Sequence, residues 1–423
     1  MPQQRGGVTL GQGGFGSVVT SDELVSMVFP GESVVMLNVE LGTGTVREVP
    51  VNNVQQLLRQ LRDKTVLKIT DDDNELSGNL SLLSRLSARM TRNKVSATVI
   101  DRTSPFFLHG ERKHFIAGLL IGQPAVRHSQ YTLASIRKAI PIYRRMRGDL
   151  MDFYNRFGDV VTAQHVLDIT MSTLYMLREM AAVRAHHVDI KEPNILYDVD
   201  CSTDKSNRQV TAGRLRRLGG CQVRFALSDF GLIMLDPRRS TPTDSGTPGF
   251  RSPLMYDNYH DFRNDYMSFM WHTAPGSPED VWRSYEAARD SPVTRVRTAT
   301  AKSRVRTGVT KSRRQQQLLL LPKLTGAQRF EKNDLYALGV MLMYFDYDQD
   351  RRTRPINDLG VALVMGPRFR GSIMTIDHAI ESYRKVRAAL SGSERRLDLR
   401  TLRHLDDDDA GDYDDYNSRT SSR

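Results

Sequence analysis

The spacing of apolar residues changes once along this chain, and a chain with that change is neither all-α nor all-β. From Val8 to about Tyr143 it offers short apolar runs rich in β-branched residues: Val18–Val19, Leu24–Phe29, Ser33–Val39, Val66–Ile69, Val95–Ile100, Phe115–Ile121 and Ala139–Tyr143. These read as strands around one helical stretch near Glu75–Met90. From Asp149 onward the spacing becomes three to four residues. Val166, Ile169, Thr173, Met176, Met180 and Val183 fall on one helical face between Ala163 and Ala185, and Asp334–Phe345 is similarly apolar. The expected fold is α+β and bilobal: a small β-rich lobe with one main helix over residues 1–146, then a larger, mainly helical lobe over residues 147–405, with a cleft between them. A chain of 423 residues has enough material for both cores.

The formal charge of +11 favours anionic partners, but it is unevenly spread. Residues 406–423 hold seven Asp and two Arg with almost no aliphatic side chain, which predicts an acidic, disordered tail. Ser291–Arg314 holds eight Lys/Arg and no acid. Within it Val296–Arg304 (VRTATAKSR) and Val305–Arg313 (VRTGVTKSR) agree at six of nine positions. Two copies are too few for a solenoid, so this stretch is expected to be part of a basic insert, 263–330, with weak contact to nucleic acid or an acidic partner through 291–314. No apolar run reaches 18 residues and the first residues lack a signal-peptide core, so neither membrane contact nor secretion is expected. The two cysteines, Cys201 and Cys221, cannot build a disulfide framework, and reduced thiols in the cytoplasm or nucleus are expected.

Three segments carry recognisable chemistry. Leu10-Gly11-Gln12-Gly13-Gly14-Phe15-Gly16-Ser17-Val18 has the pattern GxGxxGxV, in which glycines let a turn bring backbone N–H groups close to phosphate oxygens. Val18 and Val19 continue it as a strand, which favours a hairpin over a dinucleotide-binding turn. His187-Val188-Asp189-Ile190-Lys191-Glu192-Pro193-Asn194 follows a long amphipathic helix and reads as a loop offering a base, a phosphate-neutralising cation and a neutral metal ligand. Asp229-Phe230-Gly231 follows the strand-like Cys221–Leu227, where a carboxylate can hold Mg²⁺.

With Val66-Leu67-Lys68 after the glycines, Gly246-Thr247-Pro248-Gly249-Phe250-Arg251-Ser252-Pro253 after Asp229, and Asp334-Leu335-Tyr336-Ala337-Leu338-Gly339 further on, the ordered set resembles the protein kinase superfamily, Ser/Thr type. The resemblance runs from Leu10 to about Tyr347. It implies a kinase-like bilobal fold and ATP-dependent transfer of the γ-phosphate to Ser/Thr hydroxyls of protein substrates. Leu10 to Val18 and Lys68 would bind ATP, with Gly11, Gly13 and Gly16 over the phosphates and Val18 on adenine. Asp189 would orient or accept the proton of the substrate hydroxyl, Lys191 would steady the γ-phosphate, and Asn194 with Asp229 would hold Mg²⁺. Thr247 matches the threonine that accompanies Ser/Thr specificity, and Ile140–Met146 looks like the hinge strand beside adenine. Long inserts around an intact set look like kinases of large DNA viruses such as herpesviruses, which would place the protein inside a host cell.

The chain also departs from the family pattern. Alignment puts Asn79 where the glutamate partner of Lys68 belongs, with Glu75 one turn earlier on the same face. Lys64 is the nearest rival of Lys68. Val188 replaces the arginine before the catalytic aspartate, Leu254 replaces a glutamate, and Glu192-Pro193 is reversed. Asp265-Tyr266-Met267-Ser268 competes with Asp334 as the start of a central helix, and Asp334 is preferred for its fuller match and for the apolar helix that follows it. His186 and His187 are expected to bond backbone rather than metal. A pseudokinase or scaffold that binds through the fold and the basic insert is the alternative.

Overall fold

The computed structural model describes residues 11–13, 16–53, 57, 61, 65–70, 72–106, 113–127, 130–144, 146–200, 218, 221–238, 245–269, 275–286, 324–346, 352–397 and 399–401. The chain opens with β1 (Gly11–Gly13) and β2 (Gly16–Thr20), then α1 (Ser21–Met27), β3 (Ser33–Glu40), β4 (Val46–Val51) and β5 (Val66–Thr70). After these come α2 (Asp73–Arg92), α3 (Lys94–Thr103), β6 (His114–Arg127) and β7 (Gln130–Ile142). The strands make one seven-stranded sheet in the order β1-β2-β5-β7-β6-β3-β4, every neighbouring pair antiparallel.

Period-two alternation gives this sheet two buried faces. Leu37, Val39, Val66, Phe115, Ala117, Ile140 and Ile142 pack with Leu76, Leu82, Leu83, Leu86 and Met90 of α2 and with Ala97 and Ile100 of α3. Val34, Met36, Leu67, Ile116, Leu119, Ile121 and Ala139 pack with Val19 and Leu24 on the other side.

Two segments expected as strands are helices. Leu24–Phe29 falls mostly in α1 because Thr20 and Glu23 form a reciprocal cap: Glu23 N–H donates to Thr20 Oγ1 (3.2 Å) and Thr20 N–H to Glu23 Oε2 (2.8 Å). Val95–Ile100 lies in α3, so the sheet carries two consecutive helices rather than one main helix. Asn93 causes the break and the restart: its N–H closes α2 on Arg89 O (3.1 Å), while its side chain accepts from Val95 N–H (3.0 Å) and Ser96 N–H (3.1 Å). Val95 is left exposed while Ala97 and Ile100 are buried, a helical pattern hidden in a β-branched run.

The remainder is mainly helical: β8 (Gly148–Asp149), α4 (Leu150–Phe157), α5 (Ala163–Ala182), β9 (Ala185–His186), β10 (Ile195–Asp200), β11 (Gln222–Leu227), β12 (Met234–Leu235), α6 (Tyr259–Phe269) and α7 (Pro278–Tyr285). It ends with α8 (Gly326–Leu342), β13 (Phe345–Asp346), α9 (Arg354–Val364), α10 (Ile376–Ala389) and β14 (Arg400–Thr401). The architecture is therefore α+β, with ten α-helices among the described residues. Helix α8 is buried around most of its circumference, as an apolar central helix must be. Gly339 lets α9 cross closely, since a Cβ there would meet Gly360 O at 2.9 Å.

Within 263–330, Tyr266, Val281 and Tyr285 of α6 and α7 are core residues, so that segment is not a uniform surface loop. The basic repeat 291–314, the acidic tail 406–423, Lys64 and Cys201 lie outside the described residues. Cys221 is disulfide-bonded, contrary to the reduced state expected of it. No helix among the described residues is long and apolar enough to cross a membrane.

Lys332 of α8 is fully buried, and its Nζ donates to Leu363 O (2.5 Å), Met365 O (2.9 Å) and Ile373 O (2.8 Å). With Tyr285 Oη on Val364 O (2.7 Å), it satisfies carbonyls at the end of α9 that have no further helical turn to bond. Burial holds this amine well below the usual lysine range. Lys332→Met strips the donor from three buried carbonyls and should lower the unfolding free energy by about 2–4 kcal/mol, read from urea denaturation.

Candidate functional site

Lys68 lies at the centre of β5, where it is paired with Val18 of β2 and Ile140 of β7. Alternation puts its side chain on the α2 face of the sheet, the face of Val66. There its Nζ forms an ion pair with Glu75 Oε1 and lies 3.7 Å from Asp229 Oδ2. Glu75 reaches it because α2 starts directly after β5: Asp72 caps the helix by accepting from Asn74 N–H (2.8 Å). The buried stripe then begins at Glu75 and runs through Asn79, Leu82, Leu83 and Leu86. Burial pushes the Glu75 carboxyl above its ordinary value, and the Lys68 ammonium offsets this only in part. Asn79, in the position where alignment placed the partner, turns back on its own helix and donates to Glu75 O (3.2 Å).

The loop after α5 is organised by one carboxylate. Asp334 Oδ2 accepts from His187 N–H (3.0 Å) and Oδ1 from Val188 N–H (2.7 Å). Asp265, the competing candidate, instead binds Arg251 (2.7 Å) and the Tyr256 hydroxyl (2.6 Å). Val188 takes a φ of +73°, a conformation rare for a β-branched residue. Gly246 comes so near that a Cβ would meet Val188 O at 2.7 Å. His187 bonds backbone as expected, its Nε2 pairing with Ser228 O (2.8 Å), whereas both ring nitrogens of His186 are buried without a hydrogen-bond partner among the described residues, against the expectation for it.

Asp189, Lys191, Asn194 and Thr247 form one polar cluster. Asp189 Oδ1 accepts from Thr247 N–H (3.0 Å) and its hydroxyl (2.5 Å); Oδ2 accepts from Asn194 Nδ2 (3.0 Å) and pairs with Lys191 Nζ (2.9 Å). Lys191 Nζ also donates to Thr247 Oγ1 (2.8 Å). Burial raises the Asp189 carboxyl, but the Lys191 ammonium and the Thr247 hydroxyl outweigh it and leave the group below its ordinary value. It is therefore an ionised acceptor at neutral pH.

The Asp229-Phe230-Gly231 turn connects the two groups. Asp229 has φ +58°, and Phe230 is buried between Phe106 (5.3 Å between ring centroids) and His187 (5.5 Å). Helix α2 rests directly on this turn: a Cβ on Gly78 would come within 2.6 Å of Phe230 O. No motif marked Gly78, because only the packed turn creates its constraint. In the glycine-rich stretch β1 and β2 form the expected hairpin, whereas Leu10, Gly14 and Phe15 lie outside the described residues. The expected hinge strand ends early, with β7 stopping at Ile142, and the Tyr143 hydroxyl donates to Ile116 O (2.7 Å).

No group of three or more His, Cys, Asp or Glu able to hold a metal occurs among the described residues. Asn194 spends both amide hydrogens on Asp189, at its O (2.7 Å) and Oδ2, which leaves its oxygen as the ligand atom. That oxygen and the Asp229 carboxylate are both hard donors of the kind Mg²⁺ takes beside water and phosphate oxygens. Compared with family models and with curated proteins, the chain matches none.

Glu192, the reversed residue of the loop, is buried with Oε1 unpartnered. Burial raises its carboxyl to about 7 despite Lys191. Because the folded pKa exceeds the unfolded one, its contribution to stability is complete below about pH 4.5 and disappears as pH rises to about 7. Relative to Glu192→Gln, the wild type should lose up to ~3 kcal/mol between pH 4.5 and 7.5 in urea titrations. Gly78→Val should push α2 off the 229–231 turn and cost about 2 kcal/mol or more of stability, measured the same way.

Proposed function

We propose that this protein is an ATP-dependent serine/threonine protein kinase. The observation that carries the reading is the convergence of two local groups with residues far apart in sequence: Lys68 and Glu75 with Asp229, and Asp189, Lys191 and Asn194 with Thr247. The family resemblance assigned these roles from order alone; the contacts among them supply an independent support.

The residues have a consistent division of labour in this reading. Lys68, fixed by Glu75, would neutralise α and β phosphate oxygens under the β1–β2 hairpin. Asp189, ionised and held by Thr247, would accept a hydrogen bond from the substrate hydroxyl and orient its oxygen. Lys191 sits between Asp189 and Thr247, so its ammonium can follow a γ-phosphoryl group while neutralising charge that develops there. Asn194 and Asp229 would hold Mg²⁺, whose charge stabilises the phosphates when bound. Catalysis by positioning and charge needs no activated nucleophile in the chain. The scaffold alternative drew on Asn79 and Leu254; Glu75 on Lys68 removes the first of these, and Leu254 is an ordinary core residue.

Incubation with labelled ATP, Mg²⁺ and a generic basic protein should give phosphoserine and phosphothreonine. Asp189→Asn and Lys68→Met should each lower the rate by a factor of about a hundred or more while the chains stay folded. Binding of Mg-ATP by the wild type without any transfer would sink the enzyme reading.

A further inference from the structure

The end of α2 remote from Glu75 carries two arginines that the proposed chemistry does not use. Arg85 Nη1 donates to Val183 O (3.0 Å) and its Nη2 to Asp236 Oδ2 (2.6 Å). Arg89 Nε donates to Glu179 Oε2 (2.7 Å), a carboxylate buried in α5. Asp236 follows β12 with φ +45°, and its own N–H is fixed on Arg184 O (2.8 Å). The Arg85 guanidinium holds the Asp236 carboxyl below its ordinary value. Two arginines about one turn apart thus fasten α2 to α5, to the turn that ends α5, and to the segment that follows the Asp229 turn.

A helix transmits such a constraint along its length. Glu75 and Arg89 are about 20 Å apart along the axis. Any roll or shift of α2 that lifts Glu75 from Lys68 must break the bonds of Arg85 and Arg89 and move Gly78 off Phe230. The Asp236 pair is half-exposed and weak alone. The Arg89 pair is the stronger, because its loss leaves the buried Glu179, among the described residues, with Arg178 at 3.5 Å.

We infer that Arg85 and Arg89 are positioning residues that keep Glu75 on Lys68, and that this register needs no phosphate on the 229–253 segment because every acceptor is encoded in the chain. The inference rests on the phosphotransfer reading for its rate effects, but not for its structural effect on α2.

The test uses the full chain after phosphatase treatment, with Arg85→Ala, Asp236→Ala, Arg89→Ala and Arg89→Lys. The treated wild type should keep its rate within about twofold. Arg85→Ala combined with Arg89→Ala should lower kcat about ten- to a hundredfold with KM for ATP changed less than about threefold, the pattern of misplacement rather than lost binding. Arg89→Lys should recover most of the Arg89→Ala loss, and Arg85→Ala with Asp236→Ala should be no worse than Arg85→Ala alone. Hydrogen exchange of the Leu76–Leu82 amides should quicken in the double variant while α8 stays unchanged. An unchanged kcat, or a wild type silenced by phosphatase, overturns the inference. So does a uniform rise in exchange across the chain, which marks general destabilisation. If the wild type never transfers phosphate, the phosphotransfer reading fails alone, and unchanged α2 exchange in the double variant would then overturn the positioning role.

Discussion

Asp334 is the group on which the arrangement of the site depends. It comes from the buried central helix α8 and accepts the consecutive amides of His187 and Val188, whose peptide geometry would otherwise be unfavourable. A positive φ at a β-branched residue costs on the order of 1–3 kcal/mol. Two charge-assisted hydrogen bonds, each about 1.5–3 kcal/mol, exceed that cost. Burial lifts the Asp334 carboxyl to about 7, so part of the gain is given back to desolvation. The result is a chain reversal that sends His187 toward Ser228 and Phe230 and Asp189 toward Thr247.

A second constraint is electrostatic. Lys68 faces two carboxylates, Glu75 in contact and Asp229 at 3.7 Å, beyond hydrogen-bond range. The trio carries an excess of negative charge, which leaves Asp229 able to serve another cation. The placement of Lys68 depends on α2, whose seat on the 229–231 turn is set by the absence of a side chain at Gly78. Sheet, helix and turn therefore share one geometry, and the charged groups follow from it.

Much of this was legible in the residues. The change from β-type to helical spacing gave the α+β class, and the long helices expected around Glu75–Met90 and Ala163–Ala185 lie close to α2 and α5, whereas Asp334, expected to start the central helix, lies inside α8, which Thr325 caps. Local capping chemistry decided what apolar pattern did not. Thr20 with Glu23, and Asn93 at the junction of α2 and α3, turned two apolar runs into helices, and both signals were present in the sequence. The partner of Lys68 was a different case. Glu75 and Asn79 share a helical face, and a difference of one turn depends on where α2 seats, which no local pattern records.

The sequence by itself determined the class of fold, the order of the chemical segments and the residue types available for phosphate, metal and proton contacts, because these depend on spacing along the chain. Only the tertiary structure decided which of those residues meet. Asp229 near Lys68, Thr247 on Asp189, and Lys332 as a buried donor to three carbonyls all arise from elements brought together across long separations. Packing there sets distances to within an ångström, whereas periodicity sets only the face on which a side chain lies.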